Sequence, residues 1–170
     1  MRSKAGPCVA FALVNKISPA EGGWFRAQGE GVVMTFVQHA RLAADTVHIA
    51  DWSLSRVLLM NDKRYPWIVL VPRRAEIIEL FDLDEADRAT LISEIAHIGE
   101  KLKAWAKARG GCDKINVGVI GNIVPQLHVH IVARTKTDAV WPAPAWGKGE
   151  PVPYDAVELE QIVASLRAAL

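Results

Sequence analysis

The chain has 170 residues, of which 51% are hydrophobic and 23% charged, a composition that predicts one globular domain with a sizeable core. Its 20 Lys and Arg residues nearly balance 19 Asp and Glu residues, and this net charge of +1 argues against binding to long nucleic acids. No apolar run is long enough to cross a membrane. Cys8 and Cys112 have neither metal-binding nor redox spacing, and we expect a cytoplasmic protein.

Residues 1–33 differ from the rest of the chain, since they are rich in glycine and lack sustained periodicity. We expect them to be a poorly ordered leader. Met34 follows directly, which raises the hypothesis that natural translation begins there; mass spectrometry of the natively expressed protein would test it. Residues 34–170 are expected to form a single domain.

The domain is predicted to begin with three β-strands at residues 46–49, 55–60 and 67–71, which are rich in Val, Ile and Leu. A short polar turn at residues 61–65 separates the second strand from the third. These two strands are therefore predicted to form a hairpin.

A long helix is predicted next, because Asp82-Leu83-Asp84-Glu85 has the form of a capping box with Asp82 as N-cap. Gly110-Gly111 is expected to end this helix. A second helix is predicted near the C-terminus, capped by Asp155 and Glu158. The two apolar stripes consist of Leu91, Ile95, Ile98, Leu102 and Trp105, and of Leu159, Ile162, Val163 and Leu166.

Two further strands are predicted at residues 114–120 and 126–133, around a Gly-Asn turn, and a Pro- and Gly-rich loop follows at residues 141–149. Strands joined by hairpins, with helices inserted between them, favour an α+β fold over a doubly wound one. We predict an antiparallel sheet of about five strands with one long central helix and a C-terminal helix. A Gly-rich phosphate loop of either standard type is not visible.

The segment Gln126-Leu127-His128-Val129-His130 alternates polar and apolar residues. In a strand, this spacing points Leu127 and Val129 into the core and Gln126, His128 and His130 to the opposite face. Three interpretations compete: a solvent-facing strand that happens to carry histidines, a metal site, and nucleophilic catalysis by an imidazole. The metal site would need a further protein ligand, and no carboxylate or cysteine lies nearby in the sequence.

The wider context of this segment resembles the histidine triad family of nucleotide hydrolases and transferases. The family signature is His-x-His-x-His followed by two apolar residues, preceded by an Asn-containing strand and a Gly-Gln type of turn. Here the segment from Asn116 to Arg134 reads NVGVIGNIVPQLHVHIVAR. The upstream hairpin at residues 57–72 also resembles the nucleoside-binding segment of the family, so the resemblance spans about residues 46–134.

The chain departs from the family pattern in three places. Gln126 stands at the first histidine of the triad, Asn122 stands where the turn usually has Gln, and the connection from Asn116 to His128 is one residue shorter than expected. The first position of the triad supplies a backbone carbonyl that orients the central ring. Gln126 retains that carbonyl, so the resemblance implies that activity can survive, and Gln126 is counted among the substrate-binding residues.

The resemblance implies that His128 attacks the α-phosphorus of a nucleotide and forms a covalent nucleotidyl-imidazole, which water then hydrolyses. His130 would contact the phosphate oxygens, where a hydrogen-bond donor stabilises developing charge. Asn61 would bind the ribose hydroxyls, and Asn116 and Asn122 would add amides or shape the turn beside the phosphate.

The implied substrates are diadenosine polyphosphates, adenosine phosphoramidates or related nucleoside monophosphate derivatives. No cofactor and no protein-bound metal are implied; Mg²⁺ is a candidate counterion of the substrate. Family members generally form twofold dimers, which implies a homodimer here. Two alternatives stay open: a nucleotidyl transferase that uses an acceptor phosphate, and a nucleotide-binding protein whose altered triad has lost catalysis.

Other residues carry weaker signals. Two tryptophans in the loop at residues 141–149 could cover a nucleotide or contact a second subunit, and Lys148 could reach a polyphosphate. His39, His48, His97 and Arg73-Arg74 are expected at ordinary surface or strand positions.

Overall fold

A computed structural model describes residues 35–170 of the protein. The leader predicted at residues 1–33 lies outside the described residues. Within them, the helices are α1 (Ala40–Asp45), α2 (Glu85–Lys107) and α3 (Ala156–Ala169), and a 3₁₀ turn spans Leu80–Asp82. The strands are β1 (Thr46–Asp51), β2 (Ser55–Met60), β3 (Trp67–Pro72), β4 (Lys114–Gly118) and β5 (Val129–Arg134).

The five strands of residues 35–170 form one antiparallel sheet in the order β1-β2-β3-β5-β4. Strands β2 and β3 pair as the predicted hairpin. Strand β5 lies between β3 and β4, where His130 is opposite Val69 on one side and Gly118 on the other. The predicted α+β fold, with its antiparallel sheet, long central helix and C-terminal helix, is confirmed.

The two faces of the sheet are covered by different elements. On one face, Leu70 and Ile131 join the apolar stripes of α2 and α3 in the larger hydrophobic core. On the other face, Val69 and Val132 form a smaller cluster with Leu42 of α1. Burial of each large apolar side chain contributes roughly 1.5–3 kcal/mol, so residues on both faces stabilise β5 between β3 and β4.

Helix α2 begins at a different cap from the one predicted. Asp84, rather than Asp82, is the N-cap, and its carboxylate accepts a hydrogen bond of 2.7 Å from Asp87 N. The carboxylate of Asp82 belongs to the preceding 3₁₀ turn, where it accepts from Glu79 N at 2.8 Å. Two aspartates match the capping pattern in sequence, and the turn before the helix takes the first of them.

Helix α2 ends at Lys107 with Ala108 as C-cap, a little before the predicted stop at Gly110-Gly111. The predicted cap of α3 and the buried stripe of α2 are confirmed. Asp155 is the N-cap of α3, and it forms a reciprocal capping box with Glu158. The stripe on α2 faces the core as expected, with Leu91, Ile98, Leu102 and Trp105 buried and Ile95 partly buried.

The two strands around the histidines are shorter than predicted. Strand β4 ends at Gly118 rather than Ile120, and β5 begins at Val129 rather than Gln126. Pro125 has no N–H to donate, and Leu127 N donates outside the sheet to Ile77 O at 2.8 Å. His128 therefore lies just before β5, so strand alternation alone does not fix its direction.

Candidate active site

His128 is held in one orientation by a backbone carbonyl. Its side chain is buried, with a relative exposure of 5%, and Nδ1 lies 2.7 Å from the carbonyl oxygen of Gln126. A carbonyl oxygen can only accept, so the proton of the neutral ring resides on Nδ1. Among residues 35–170 the other nitrogen, Nε2, has no hydrogen-bond partner, and its lone pair is free.

Gly121 leaves room for this ring. A Cβ atom at position 121 would lie 3.3 Å from Cε1 of His128 and 3.1 Å from the carbonyl oxygen of Val124. These contacts are tighter than ordinary van der Waals distances, so a side chain at this position would press on the imidazole. The glycine therefore lets the turn approach the edge of the ring closely.

His130 is held by a second, different hydrogen bond. The indole Nε1–H of Trp67 donates to Nδ1 of His130 at 3.0 Å. An indole nitrogen can only donate, so Nδ1 of His130 is unprotonated and the proton of the neutral ring is on Nε2. The two histidines thus have opposite tautomers: His128 presents an acceptor nitrogen and His130 a donor.

The environment of His130 keeps its ring uncharged. Burial, with a smaller contribution from nearby His128, lowers the pKa of His130 to about 4. A hydrogen bond to the backbone carbonyl of Ile120 favours the protonated ring and so raises the pKa, but its contribution is smaller than that of burial. At neutral pH, His130 is therefore a neutral hydrogen-bond donor. The ring centroids of His128 and His130 are 4.8 Å apart, close enough for both rings to contact one phosphate group.

Two adjoining cavities open in front of these rings. The first has a volume of about 360 Å³ and is lined by His128, His130 and the turn at residues 120–124. The second has a volume of about 530 Å³ and includes Asn61 and Lys148. They share a boundary formed by Arg41, Asp45, Met60, Ile123, His130, Trp146 and Gly147. Each is within the size range of small-ligand pockets.

Trp146 brings the Pro- and Gly-rich loop to the cavities. Its ring lies directly over Gly118, where a Cβ atom would be only 2.9 Å from the indole. Its centroid is 6.1 Å from that of His130 and 5.9 Å from that of Trp67. The absence of a side chain at Gly118 thus allows an aromatic wall to form beside the histidines.

A buried ion pair holds the base of this loop. Arg134, whose side chain is fully buried, donates to both carboxylate oxygens of Asp138 and to the carbonyl of Ala143. The hydrogen bond from Arg134 lowers the pKa of Asp138 below its ordinary value. Arg134 also donates to Oδ1 of Asn116 at 3.0 Å. The loop is thus fastened to β4 and β5 together.

The predicted site residues do not all reach the cavities. His128, His130 and Asn122 line the first cavity, and Asn61 lines the second, where its Oδ1 accepts from Tyr154 N at 3.1 Å. Asn116 lies opposite Val132 and does not line either cavity, because its side chain bonds to Arg134 instead.

Gln126 also differs from its expected placement. Its carbonyl contacts His128 as the resemblance implies, but its side-chain amide bonds to the backbone of Val37 and His39. Part of the residue borders a third cavity of about 210 Å³, together with Asn122 and His128.

Sequence reasoning missed the contribution of Trp67 and of α1. The sequence indicated Trp67 only as the start of a strand. Trp67 and His130 are 63 positions apart, so no local pattern signals their contact. Helix α1 supplies Arg41, Leu42 and Asp45 to the cavity walls, but it is short and buries only Leu42.

The histidines and arginines that were expected at ordinary surface or strand positions make local contacts. His39 is the N-cap of α1, His48 bonds to Asp51, and His97 contacts the edge of Trp52. The arginine pair is not free: Arg73 donates to the carbonyl of Trp52 and Arg74 to Asp87.

Comparison with known proteins identifies the class of fold. The sequence model of the HIT domain matches residues 41–137. A histidine triad protein of known structure from Bradyrhizobium japonicum is 45% identical, with a TM-score of 0.74, and the match covers 79% of this chain and 98% of that one. One from Marinobacter aquaeolei is 40% identical, with a TM-score of 0.76 and coverage of 80% and 96%. One from Sinorhizobium meliloti is 41% identical, with a TM-score of 0.72 and coverage of 79% and 97%.

The fold is thus that of the histidine triad nucleotide-binding proteins. The chain belongs to the histidine triad family, which includes hydrolases and transferases, and the resemblance noted in the sequence is confirmed. No curated protein matches the chain.

In the described part of the chain, no helix has the length and apolarity required to span a bilayer. Residues 35–170 bring together no group of three or more His, Cys, Asp or Glu side chains suited to a metal ion.

Proposed function

We propose that the protein is a hydrolase that cleaves nucleotides at the α-phosphorus through a covalent nucleotidyl-histidine intermediate. The observation that carries this proposal is the 2.7 Å contact between Nδ1 of His128 and the carbonyl of Gln126. This contact keeps the proton on Nδ1 and leaves Nε2 as a nucleophile. The adjoining cavities of about 360 and 530 Å³ provide space for a nucleoside monophosphate unit.

The proposed reaction has two displacements at phosphorus. In the first, Nε2 of His128 bonds to the α-phosphorus while the bond to the leaving oxygen or nitrogen breaks, and the leaving group takes a proton from solvent. In the second, water attacks the same phosphorus, the nitrogen–phosphorus bond breaks, and its electron pair returns to Nε2. The attacking water gives up a proton to solvent, and a nucleoside monophosphate is released.

Neighbouring groups have separate proposed roles in this reaction. The Nε2–H of His130 would donate to a phosphate oxygen, and because the ring is neutral it adds no charge that repels a cationic leaving group. The amide of Asn61 would bind the ribose hydroxyls, and Asn122 would contact the phosphate from the turn. For Asn116 we propose a supporting role through Arg134 in place of the direct substrate contact.

The candidate substrates remain diadenosine polyphosphates, adenosine phosphoramidates and related nucleoside monophosphate derivatives. Lys148 borders the second cavity and has no carboxylate within salt-bridge distance among residues 35–170. This free cation favours a substrate with additional phosphates. Mg²⁺ would act as a counterion of such a substrate, and turnover measured with and without a chelator tests that role.

Turnover of this substrate panel by purified protein tests the proposal. We expect His128→Ala to lose at least about 10³-fold in kcat, as when a nucleophile is removed, and to retain its fold by circular dichroism. His97→Ala is the matched control, because His97 is exposed on α2 outside the cavities, and it should keep normal kcat. Full activity of folded His128→Ala protein would refute the proposal.

Two other outcomes correspond to the alternative functions. A nucleotidyl transferase would yield a new dinucleotide or nucleoside polyphosphate when an acceptor phosphate is added, whereas a hydrolase yields the monophosphate regardless. A catalytically impaired protein would bind AMP without turnover and without a covalent adduct. Product analysis and calorimetric titration with AMP distinguish these cases.

We also propose a cytoplasmic homodimer. Strand β4 is an edge of the sheet, and it and the turn that follows expose Val117, Val119, Ile120 and Ile123. An apolar sheet edge of this kind is suited to pairing with a second copy. Sedimentation should show a dimer for the natural protein and a monomer for the Val117→Lys variant. Cell fractionation tests the cytoplasmic location.

A further inference from the structure

Gln126 contacts His128 with its backbone and the segment before α1 with its side chain. Its backbone carbonyl accepts from His128, as described above. Its side-chain Nε2–H donates to the carbonyl of Val37 at 2.8 Å, and its Oε1 accepts from His39 N at 2.8 Å. We call this pair of side-chain hydrogen bonds the amide bridge. It joins residues that are 87 and 89 positions apart in the chain.

The segment held by the amide bridge leads directly into a wall of both cavities. His39 is the N-cap of α1, and its Nδ1 accepts from Arg41 N at 3.1 Å. Helix α1 then contributes Arg41 and Asp45 to both cavities and Leu42 to the first. A helix of six residues is too short to be stable by itself, so its position depends on tertiary anchors.

The amide bridge requires a side chain with a donor and an acceptor side by side. A primary amide has both on one planar group, which matches the N–H and C=O of an extended backbone segment. A carboxylate at this position would have no donor for Val37 O. An imidazole, the group that the family signature has here, carries its two nitrogens on diverging directions of the ring and cannot form the same pair of bonds.

We propose that the side chain of Gln126 is a positioning residue, which fixes α1 and so the nucleoside-binding wall relative to His128. The amide oxygen and the amide nitrogen each bond to the backbone of residues 37–39, so we assign the side chain to the wall and the substrate contacts to other groups. Gln126 thus combines two functions: its carbonyl orients the nucleophile, and its amide orients the pocket. The kinetic consequence of this role rests on the proposed function, whereas its structural consequence does not.

Two substitutions in the full-length protein test the inference. Gln126→Met keeps the length of the side chain and removes both hydrogen bonds, and Gln126→Glu keeps the shape and the acceptor but removes the donor. Both keep the backbone carbonyl that contacts His128. Gln161→Met, on the exposed surface of α3, is the matched control and should behave as the natural protein does.

We expect hydrogen exchange to become faster at the amides of residues 39–45 in both Gln126 variants, with no change in α2. We expect KM for the nucleotide, or the Kd for AMP, to rise about 10-fold while kcat changes less than about 2-fold, which corresponds to the loss of a hydrogen-bonded anchor. A residue that merely stabilised the fold would lower Tm without separating KM from kcat.

Other results would overturn the inference. Unchanged exchange at residues 39–45 would mean that the amide bridge does not hold α1. A fall in kcat at constant KM would mean that the side chain acts on the chemistry instead of the wall. If the natural protein turns over no nucleotide, the proposed function fails, but hydrogen exchange still decides whether Gln126 positions α1.

Discussion

Replacement of Trp67 by Phe separates the two roles of the indole, which are packing and control of the His130 tautomer. Phe keeps an aromatic ring at this buried position but removes the Nε1–H that donates to Nδ1 of His130. With that donor gone, His130 either leaves a buried acceptor unsatisfied or moves its proton from Nε2 to Nδ1. The second choice removes the donor that the proposed mechanism directs at the phosphate.

The size of the effect follows from these two choices. An unsatisfied buried acceptor costs about 1–3 kcal/mol, and the loss of one donor to a developing charge typically reduces kcat by about 10² or more. A tautomer penalised by this amount is populated in only about one molecule in 10 to one in 100, so we expect kcat to fall by between about 10-fold and 100-fold. The pKa of His130 should rise from about 4, because a bond that favours the neutral ring is lost.

Nitrogen-15 NMR of the histidine rings, measured across a pH titration together with kcat, checks this prediction. Trp146→Phe is the matched control: the Nε1 of Trp146 has no hydrogen-bond partner among residues 35–170, so this change should affect KM and leave the His130 tautomer intact. The reasoning fails if His130 keeps its Nε2 proton and its pKa in the Trp67→Phe protein, or if kcat stays unchanged.

Further predictions concern the loop that carries Trp146. Asp138→Asn should lower the unfolding free energy by about 3 kcal/mol, measured by urea denaturation, because it leaves the buried guanidinium of Arg134 unpaired; an effect below 1 kcal/mol would contradict this. Folding lowers the pKa of Asp138 from 3.8, so its ionised carboxylate stabilises the folded state fully above that pH. This stabilisation is lost as the pH falls through the lowered pKa, and the Asn variant should show no such loss. Gly118→Ala should displace the ring of Trp146 and raise KM severalfold, which steady-state kinetics and tryptophan fluorescence will detect.

Local patterns in the sequence were sufficient for most of the secondary structure. The spacing of Leu91, Ile98 and Leu102 predicted the buried face of α2, and the Asp155 cap predicted the start of α3, because both depend on contacts within one turn or a few turns of helix. The hairpin of β2 and β3 was equally local. The error at Asp82 arose because a preceding 3₁₀ turn competes for its carboxylate.

The chemistry of the two histidines was less accessible to sequence reasoning. The motif indicated His128 and His130, but alternation suggested that both rings lie on an ordinary strand face. In the structure His128 precedes β5, and a carbonyl sets its direction. The tautomer of His130 depends on Trp67 in β3, which becomes a neighbour of β5 only when the sheet assembles.

The contacts of Asn116 and Gln126 were also not predictable from the sequence. An amide in a family motif is compatible with substrate binding and with internal bracing, and the sequence does not distinguish them. The pairing of β4 with β5 brings Asn116 within hydrogen-bond distance of Arg134, and the path of residues 37–39 brings backbone groups to the amide of Gln126. Both partners are distant in sequence, so neither contact leaves a periodic signal.

The central claim is that Nε2 of His128 forms a bond to the α-phosphorus. Rapid acid-free quenching of the protein during turnover of an adenosine phosphoramidate, followed by peptide mass spectrometry, tests this bond most directly. We predict one adenylyl group on the peptide that contains His128, formed and lost at rates compatible with kcat and absent from the His128→Ala protein. Turnover with no adduct at any time, or an adduct on a different residue, would contradict the account.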